Sequence, residues 1–299
     1  MHASFRQLRL FLALVETGSV SGAAKRTYVT QPTASMQLKE LSEHIGEPLF
    51  EVISKKVYLT YAGECLAKSA RAIFDEWQSF EQEIGLMKGL IKGRLKVAAV
   101  STAKYFIPKM LGDFCKTHPD IEIAFEVLNR DGVVQRLENN QDDLYIMSMP
   151  PSHLDIEDEI FMSNPINIIA AKNHPLTKKR NLELKDLKQE KFIMRERGSG
   201  TRMTVDAYFR KKYFSPNIRL ELGTNEAVRN SVAANLGIAA LSMHSLGDSL
   251  DKEVKVLEVR DFPLLSNWHI VSLKGKKLSP LAISFKWHLL ENLKANADH

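Results

Sequence analysis

Gly18-Ser19-Val20-Ser21-Gly22-Ala23-Ala24-Lys25-Arg26-Thr27-Tyr28-Val29, continued by Thr30-Gln31-Pro32-Thr33-Ala34-Ser35-Met36-Gln37-Leu38-Lys39-Glu40-Leu41, reads as helix, turn, helix. Ser19 is placed to accept from the free amides that open the first helix of the pair. Ala23 and Ala24 leave no bulk, so a neighbouring helix can come close. Thr30 can cap the second helix, and Pro32 in its first turn gives up an amide hydrogen that would lack an acceptor there anyway. That helix buries Ala34, Leu38, Leu41 and Ile45 at helical spacing. Its other face, with Gln31, Thr33, Ser35 and Lys39, is short and polar, a surface suited to a DNA major groove. The bland alternative is a three-helix core with a solvated outer face; the rest of the chain disfavours it.

Around this unit, Leu10 to Thr60 read as a winged helix-turn-helix, giving a DNA-binding domain over 1–61. Within it seven Lys/Arg face five Asp/Glu, a net charge of only +2. That is weak for one copy held by phosphate attraction, and implies several modules joined on one DNA. Past Leu59-Thr60 the period changes. Leu66, Ala70, Ile73, Trp77, Phe80, Ile84, Met87 and Ile91 follow at intervals of four and three, a heptad seam with no proline inside. The spacing predicts a linker helix within 62–93, roughly 45 Å long at about 1.5 Å per residue. A helix lying along its own domain would show a similar stripe. Large aromatics between two domains favour a second copy instead, so Leu66, Ile73, Trp77, Phe80 and Ile84 are the expected dimerisation face.

The 299 residues and net charge of +5 are those of an ordinary multidomain soluble protein. Cys65 and Cys115 fit no metal spacing and read as reduced cytoplasmic thiols. Arg6 and Arg9 before Leu10–Val15 mimic a secretory signal, but the run is short and stops at Glu16. No segment approaches the length of a membrane span, so neither a membrane partner nor a cofactor is expected.

From Arg94 strands and helices alternate, which predicts an α/β domain with parallel sheet over 94–299. One set comprises strand Arg94–Val100, helix Lys104–Thr117, strand Ile121–Leu128, helix Asp131–Asn139 and strand Leu144–Met149. A second comprises strands Ile166–Ala171, Lys191–Arg195, Ile218–Leu222 and Gly237–Leu241, with helices from Thr201 and Asn225. The chain returns through Trp268–Leu273 to a helix Pro280–Leu293 capped by Ser279. Two lobes follow: lobe I over 94–163 and 269–299, lobe II over 164–268. Ligands in such folds sit beyond the carboxyl ends of strands. Ser101, Thr102 and Lys104 mark one such junction, and Thr224 and Asn225 another, with Asn225 as the expected cap. Asn129 and Ser148 end two further strands. Strongest is Arg195-Glu196-Arg197-Gly198-Ser199-Gly200-Thr201-Arg202: two glycines, hydroxyls at a helix start and arginines in reach, the makeup of an anion nest. Ordinary capping, and surface pairing for Arg202, are the alternatives. The segment lacks the GK[ST] ending of a P-loop.

Along its whole length the chain resembles the LysR-type transcriptional regulators. Ala23-Ala24, Gln31-Pro32-Thr33-Ala34-Ser35, Pro48-Leu49-Phe50-Glu51 and Leu59-Thr60-Tyr61-Ala62-Gly63 match that family's amino-terminal signature in order and spacing. Within it the chain is most similar to regulators of RubisCO and carbon-fixation operons, through Val100–Phe106, Asp142–Met147, Arg197–Arg202 and Gly223–Val228. The resemblance implies a periplasmic-binding-protein-like sensor domain and a homotetramer built as a dimer of dimers. It implies binding to an imperfect double-stranded DNA palindrome near a promoter, with RNA polymerase as a further partner. The effectors of that branch are sugar phosphates, phosphoglycolate and NADPH. By family position Gln31, Pro32, Ser35 and Met36 face bases, Met36 replacing a frequent arginine. Val52 replaces another, leaving Lys55 and Lys56 for the phosphate contacts of the wing. Other readings are a regulator of another pathway sensing a different small anion, an α/β enzyme, or a solute-binding module. GxSxG and HExxH are absent and the nine histidines are scattered, which disfavours an enzyme.

Overall fold

The computed structural model describes residues 3–54, 56–87 and 93–297. Backbone contacts divide the chain into two compact units, residues 1–83 with 139–141, and residues 84–138 with 142–299.

In the first unit α1 (Phe5–Thr17) opens with a reciprocal cap between Ser4 and Gln7 and ends at Gly18, whose φ of +64° suits a residue without Cβ. Ser19 caps α2 (Val20–Arg26), accepting from the Gly22 amide at 3.1 Å, and Thr30 caps α3 (Gln31–Ile45). Leu10, Phe11, Leu14, Ala23, Ala24, Ala34, Leu38 and Leu41 close one apolar core, while Ile45 packs against it half-buried. The wing is an antiparallel hairpin, β1 (Phe50–Ile53) on β2 (Lys56–Leu59), paired from Phe50 opposite Leu59 to Ile53 opposite Lys56. Its far end meets α4 (Tyr61–Met87), where Gly63 is obligatory. A Cβ there would stand 1.9 Å from the Leu49 carbonyl oxygen. On α4, Ala70 is buried, Leu66 and Ile84 are half-buried, and Ile73, Trp77 and Phe80 are 43–51% exposed. Phe5 sets its ring edge-on to Phe74 and Trp77 at 5.5 Å. The side chain of Met87 and all of Ile91 lie outside the described residues.

The second unit holds two lobes. β3 (Gly93–Val100) leads through a 3-10 turn, Ser101–Tyr105, into α5 (Ile107–Thr117). The expected single helix from Lys104 is thus interrupted at Phe106. Pro108 lacks an amide and is tolerated only in a first turn, so α5 must start beside it. Then come β4 (Ile121–Leu128), α6 (Arg130–Glu138), β5 (Leu144–Met147) and β6 (Ile156–Ala171). The second lobe adds β7 (Lys191–Arg195), α7 (Gly200–Lys211), β8 (Asn217–Leu222), α8 (Asn225–Ala233), β9 (Ala239–Ser242) and β10 (Val254–Val256). β11 (Leu264–Leu273) and α9 (Pro280–Ala297) complete the chain.

β3 pairs in parallel with β4 and β5, and β11 joins β5 to β6 antiparallel. β6 is far longer than the expected Ile166–Ala171. Its first half pairs with β11 in lobe I, and its second half takes β9 and β10 in lobe II. β7 lies parallel to β8 and bonds Ile238, just before β9, through Ile193 N–H and Lys191 C=O, both at 2.8 Å. Leu95, Phe114, Phe161, Trp268 and Phe285 fill lobe I; Ile168, Phe192, Phe209 and Leu257 fill one face of lobe II. Ile169, Val228 and Leu241 fill its other face. Among the described residues no helix is long and apolar enough to cross a membrane, and no His/Cys/Asp/Glu group could hold a metal.

Candidate functional site

The opening turns of α3 expose Gln31, Pro32, Ser35, Met36 and Lys39 on one face, Met36 at 55%. Thr33 departs from this set. It is half-buried and its hydroxyl lies 2.8 Å from that of Thr30, joining the cap. Lys39 stands 3.7 Å from Glu43, an exposed pair that leaves it free to turn to a phosphate. Lys56 is exposed at the tip of the wing, paired opposite Ile53; Lys55 lies outside the described residues. The wing also exposes Val52, Ile53 and Tyr58.

A second site forms where the two lobes meet. Val100, Ser101 and Thr102 at the end of β3, Arg130 at the start of α6 and Ser148 after β5 face Arg195, Glu196, Ser199, Gly200 and Thr201 between β7 and α7. The cleft encloses about 270 Å³ of empty space, its mouth included. Gly200 lets the start of α7 come against lobe I, since a Cβ there would stand 2.7 Å from the Ser148 hydroxyl. Ser199 caps α7, accepting from the Arg202 amide at 3.3 Å. The first amides of a helix have no acceptor within it, and Gly200 and Thr201, which open α7, both line the cleft.

Six of the expected effector residues line this cleft: Ser101, Thr102, Ser148, Ser199, Gly200 and Thr201. The rest serve its walls. Arg202 is neither a surface ion pair nor a lining cation. Its buried guanidinium donates to Asp206 at 2.8 Å, to Glu221 at 3.1 Å and to the Arg195 carbonyl at 2.7 Å. Asn129 caps α6 by accepting from the Gly132 amide at 2.9 Å, and Gly198 holds a φ of +89° beside Asp131. Thr224, not Asn225, caps α8. Neither Ser101 nor Thr102 caps the turn that follows β3, which has no side-chain cap.

Asn225 is buried, donates to the Thr102 hydroxyl at 2.9 Å across the lobes and accepts from Arg195. Lys104 reaches across to Glu226 at 2.7 Å. Burial pushes the Glu226 carboxyl up, but the Lys104 ammonium and the neighbouring Tyr105 hydroxyl outweigh it and hold its pKa at about 2.

The cations of the cleft are therefore Arg195, which opens the segment expected to form the anion nest but was not itself among the expected effector residues, and Arg130, which the sequence did not single out. Arg195 closes the apolar strand Lys191–Arg195, where a pattern of hydrophobicity shows only a strand end. Arg130 opens α6 one residue before the expected start at Asp131, and its Nε donates to the Met149 carbonyl at 2.9 Å.

Residues 88–294 match the LysR substrate binding domain, and residues 5–64 match the bacterial regulatory helix-turn-helix protein of the lysR family. The chain belongs to the LysR family of transcriptional regulators. It is 42% identical over 289 residues to the RuBisCO operon transcriptional regulator of Acidithiobacillus ferrooxidans, covering 96% of this chain and 94% of that protein. The regulatory domain of CcmR from Synechocystis PCC6803, solved in complex with 2-PG, is 41% identical with a TM-score of 0.65, covering 67% of this chain and 97% of that one. A full-length OxyR variant from Pseudomonas aeruginosa has a TM-score of 0.76 over 98% of this chain and 95% of its own; at 22% identity it speaks for the fold alone. This LysR-family chain is thus a relative of carbon-fixation operon regulators.

Proposed function

We propose that this regulator reads a promoter palindrome with the exposed face of α3 and answers to a compact phosphorylated anion held between its lobes. The division of labour follows the chain: residues 1–61 bind DNA, 62–93 pair two copies, and 94–299 sense the effector, with lobe I over 94–163 and 269–299 and lobe II over 164–268. The supporting observation is the cleft itself, where two guanidinium groups, five hydroxyl side chains and a helix start converge. Phosphate oxygens suit such donors. The lining is mainly small polar side chains and two arginines, with no aromatic ring among the described residues on which a nucleotide base could stack, which favours a molecule the size of 2-phosphoglycolate over NADPH. Effector bound there favours one placement of the lobes, and only a difference in affinity between placements can alter the DNA-bound state.

Arg195→Ala in the full chain should abolish the thermal stabilisation given by 2-phosphoglycolate while operator binding persists; an unchanged shift would move the site elsewhere. Gln31→Ala should weaken operator binding by ~1–3 kcal/mol and leave binding to random duplex nearly as it was. Equal losses on both duplexes, read by fluorescence anisotropy, would remove α3 from the groove.

A further inference from the structure

We propose that Glu196 is an internal counter-anion that an effector must displace from Arg195, so that this exchange sets the threshold an anion has to pass. It rests on the cleft being an anion site. The Nε and Nη2 atoms of Arg195 each lie 2.8 Å from a Glu196 carboxylate oxygen, two parallel charge-assisted bonds in fork geometry. The Nη1 side of the guanidinium faces Asn225. Glu196 thus covers the edge that a phosphate or carboxylate would grip with two bonds.

The partners differ in freedom. The Arg195 side chain is 3% exposed and anchored by Asn225, whereas that of Glu196 is 25% exposed. The Glu196 amide is fixed on the Leu222 carbonyl at 3.1 Å, so its carboxylate can swing outward without moving the strand. A monocarboxylate offers Arg195 only what Glu196 already gives, at the cost of a bimolecular encounter. A phosphomonoester dianion offers more oxygens. Besides the Arg195 edge it can take Arg130 and the first amides of α7. The resident carboxylate is a repulsive element of specificity, acting against every weak anion.

The test is calorimetric titration of the full-length wild type, Glu196→Gln and Glu196→Asp with glycolate, inorganic phosphate and 2-phosphoglycolate. Glu196→Gln should bind each anion about ten- to a hundredfold more tightly, as expected when a charge-assisted pair no longer competes. Glycolate should become measurable only in that variant. Glu196→Asp, too short to keep both bonds, should gain severalfold, and it carries the test if the Gln variant fails to show a cooperative unfolding transition. Unchanged or weaker binding in the variants, with wild-type binding intact, would overturn the counter-anion role and leave the cleft standing. Binding by none of the three proteins would overturn both.

Discussion

Asn225 and Arg202 exchange the roles that their neighbourhoods suggest. Asn after Thr at a helix start looks like a cap, yet Thr224 takes the α8 amide and frees Asn225 to bridge Thr102 and Arg195 inside the protein. Arg202 beside two glycines looks like a ligand cation, yet it is buried, and Asp206, Glu221 and a carbonyl take its Nε and Nη1 donors. The consequence is measurable by urea unfolding. Thr224→Ala should cost about 1 kcal/mol, the value of a lost cap. Asn225→Ala should cost more, about 2–3 kcal/mol, because it strands buried donors and acceptors. A reversed order would restore Asn225 as the cap. Sequence shows residue type and spacing at both positions, but which of two adjacent polar side chains turns inward depends on partners 19 to 123 residues away.

Among the elements, α4 carries the clearest unfinished surface. Ala70 is covered while Ile73, Trp77 and Phe80 stand about half in water on one stretch. Burial of such side chains is worth ~1.5–3 kcal/mol each, which a second copy can supply. Trp77→Lys should therefore convert dimers to single chains in sedimentation at micromolar concentration, with the wild type remaining associated; two proteins of equal mass would place the contact on another face. The heptad stripe was readable because helical period survives any context. The break at Phe106 needed Pro108 to be weighed against a helix pattern that ran through it. The full length of β6 was hidden because Ile156–Ile160 alternates little and only pairing with β11 makes it strand.

Within the sensor unit as a whole, β6 and β11 run through both lobes, so the lobes are joined by paired strands rather than by a loose linker, and further contacts tie them at the cleft. The Lys104–Glu226 pair is one of these, 2.7 Å across the lobes. Glu226 titrates at about 2 in the folded chain against 4.5 without its partners. A depressed carboxylate stabilises fully above the higher value and loses that contribution as pH falls toward the lower. The difference in melting temperature between wild type and Glu226→Gln should accordingly be constant from pH 7 to about 5 and shrink between pH 4.5 and 2. Because both side chains are about a third exposed, the effect should be modest. A difference that grows with acid would contradict the interlobe tie.

Local chemistry sufficed for the helix-turn-helix, the apolar stripe of α4, the alternation of the α/β domain and the Gly-Ser-Gly-Thr helix start. Each depends on periodicity, capping or backbone freedom, which neighbours along the chain set by themselves. Which cations line the cleft, which carboxylate pairs with Arg195 and which polar groups bind lobe to lobe were decided only by folding. Those pairings join strand ends far apart in the chain, and charge and burial are properties of the assembled surroundings.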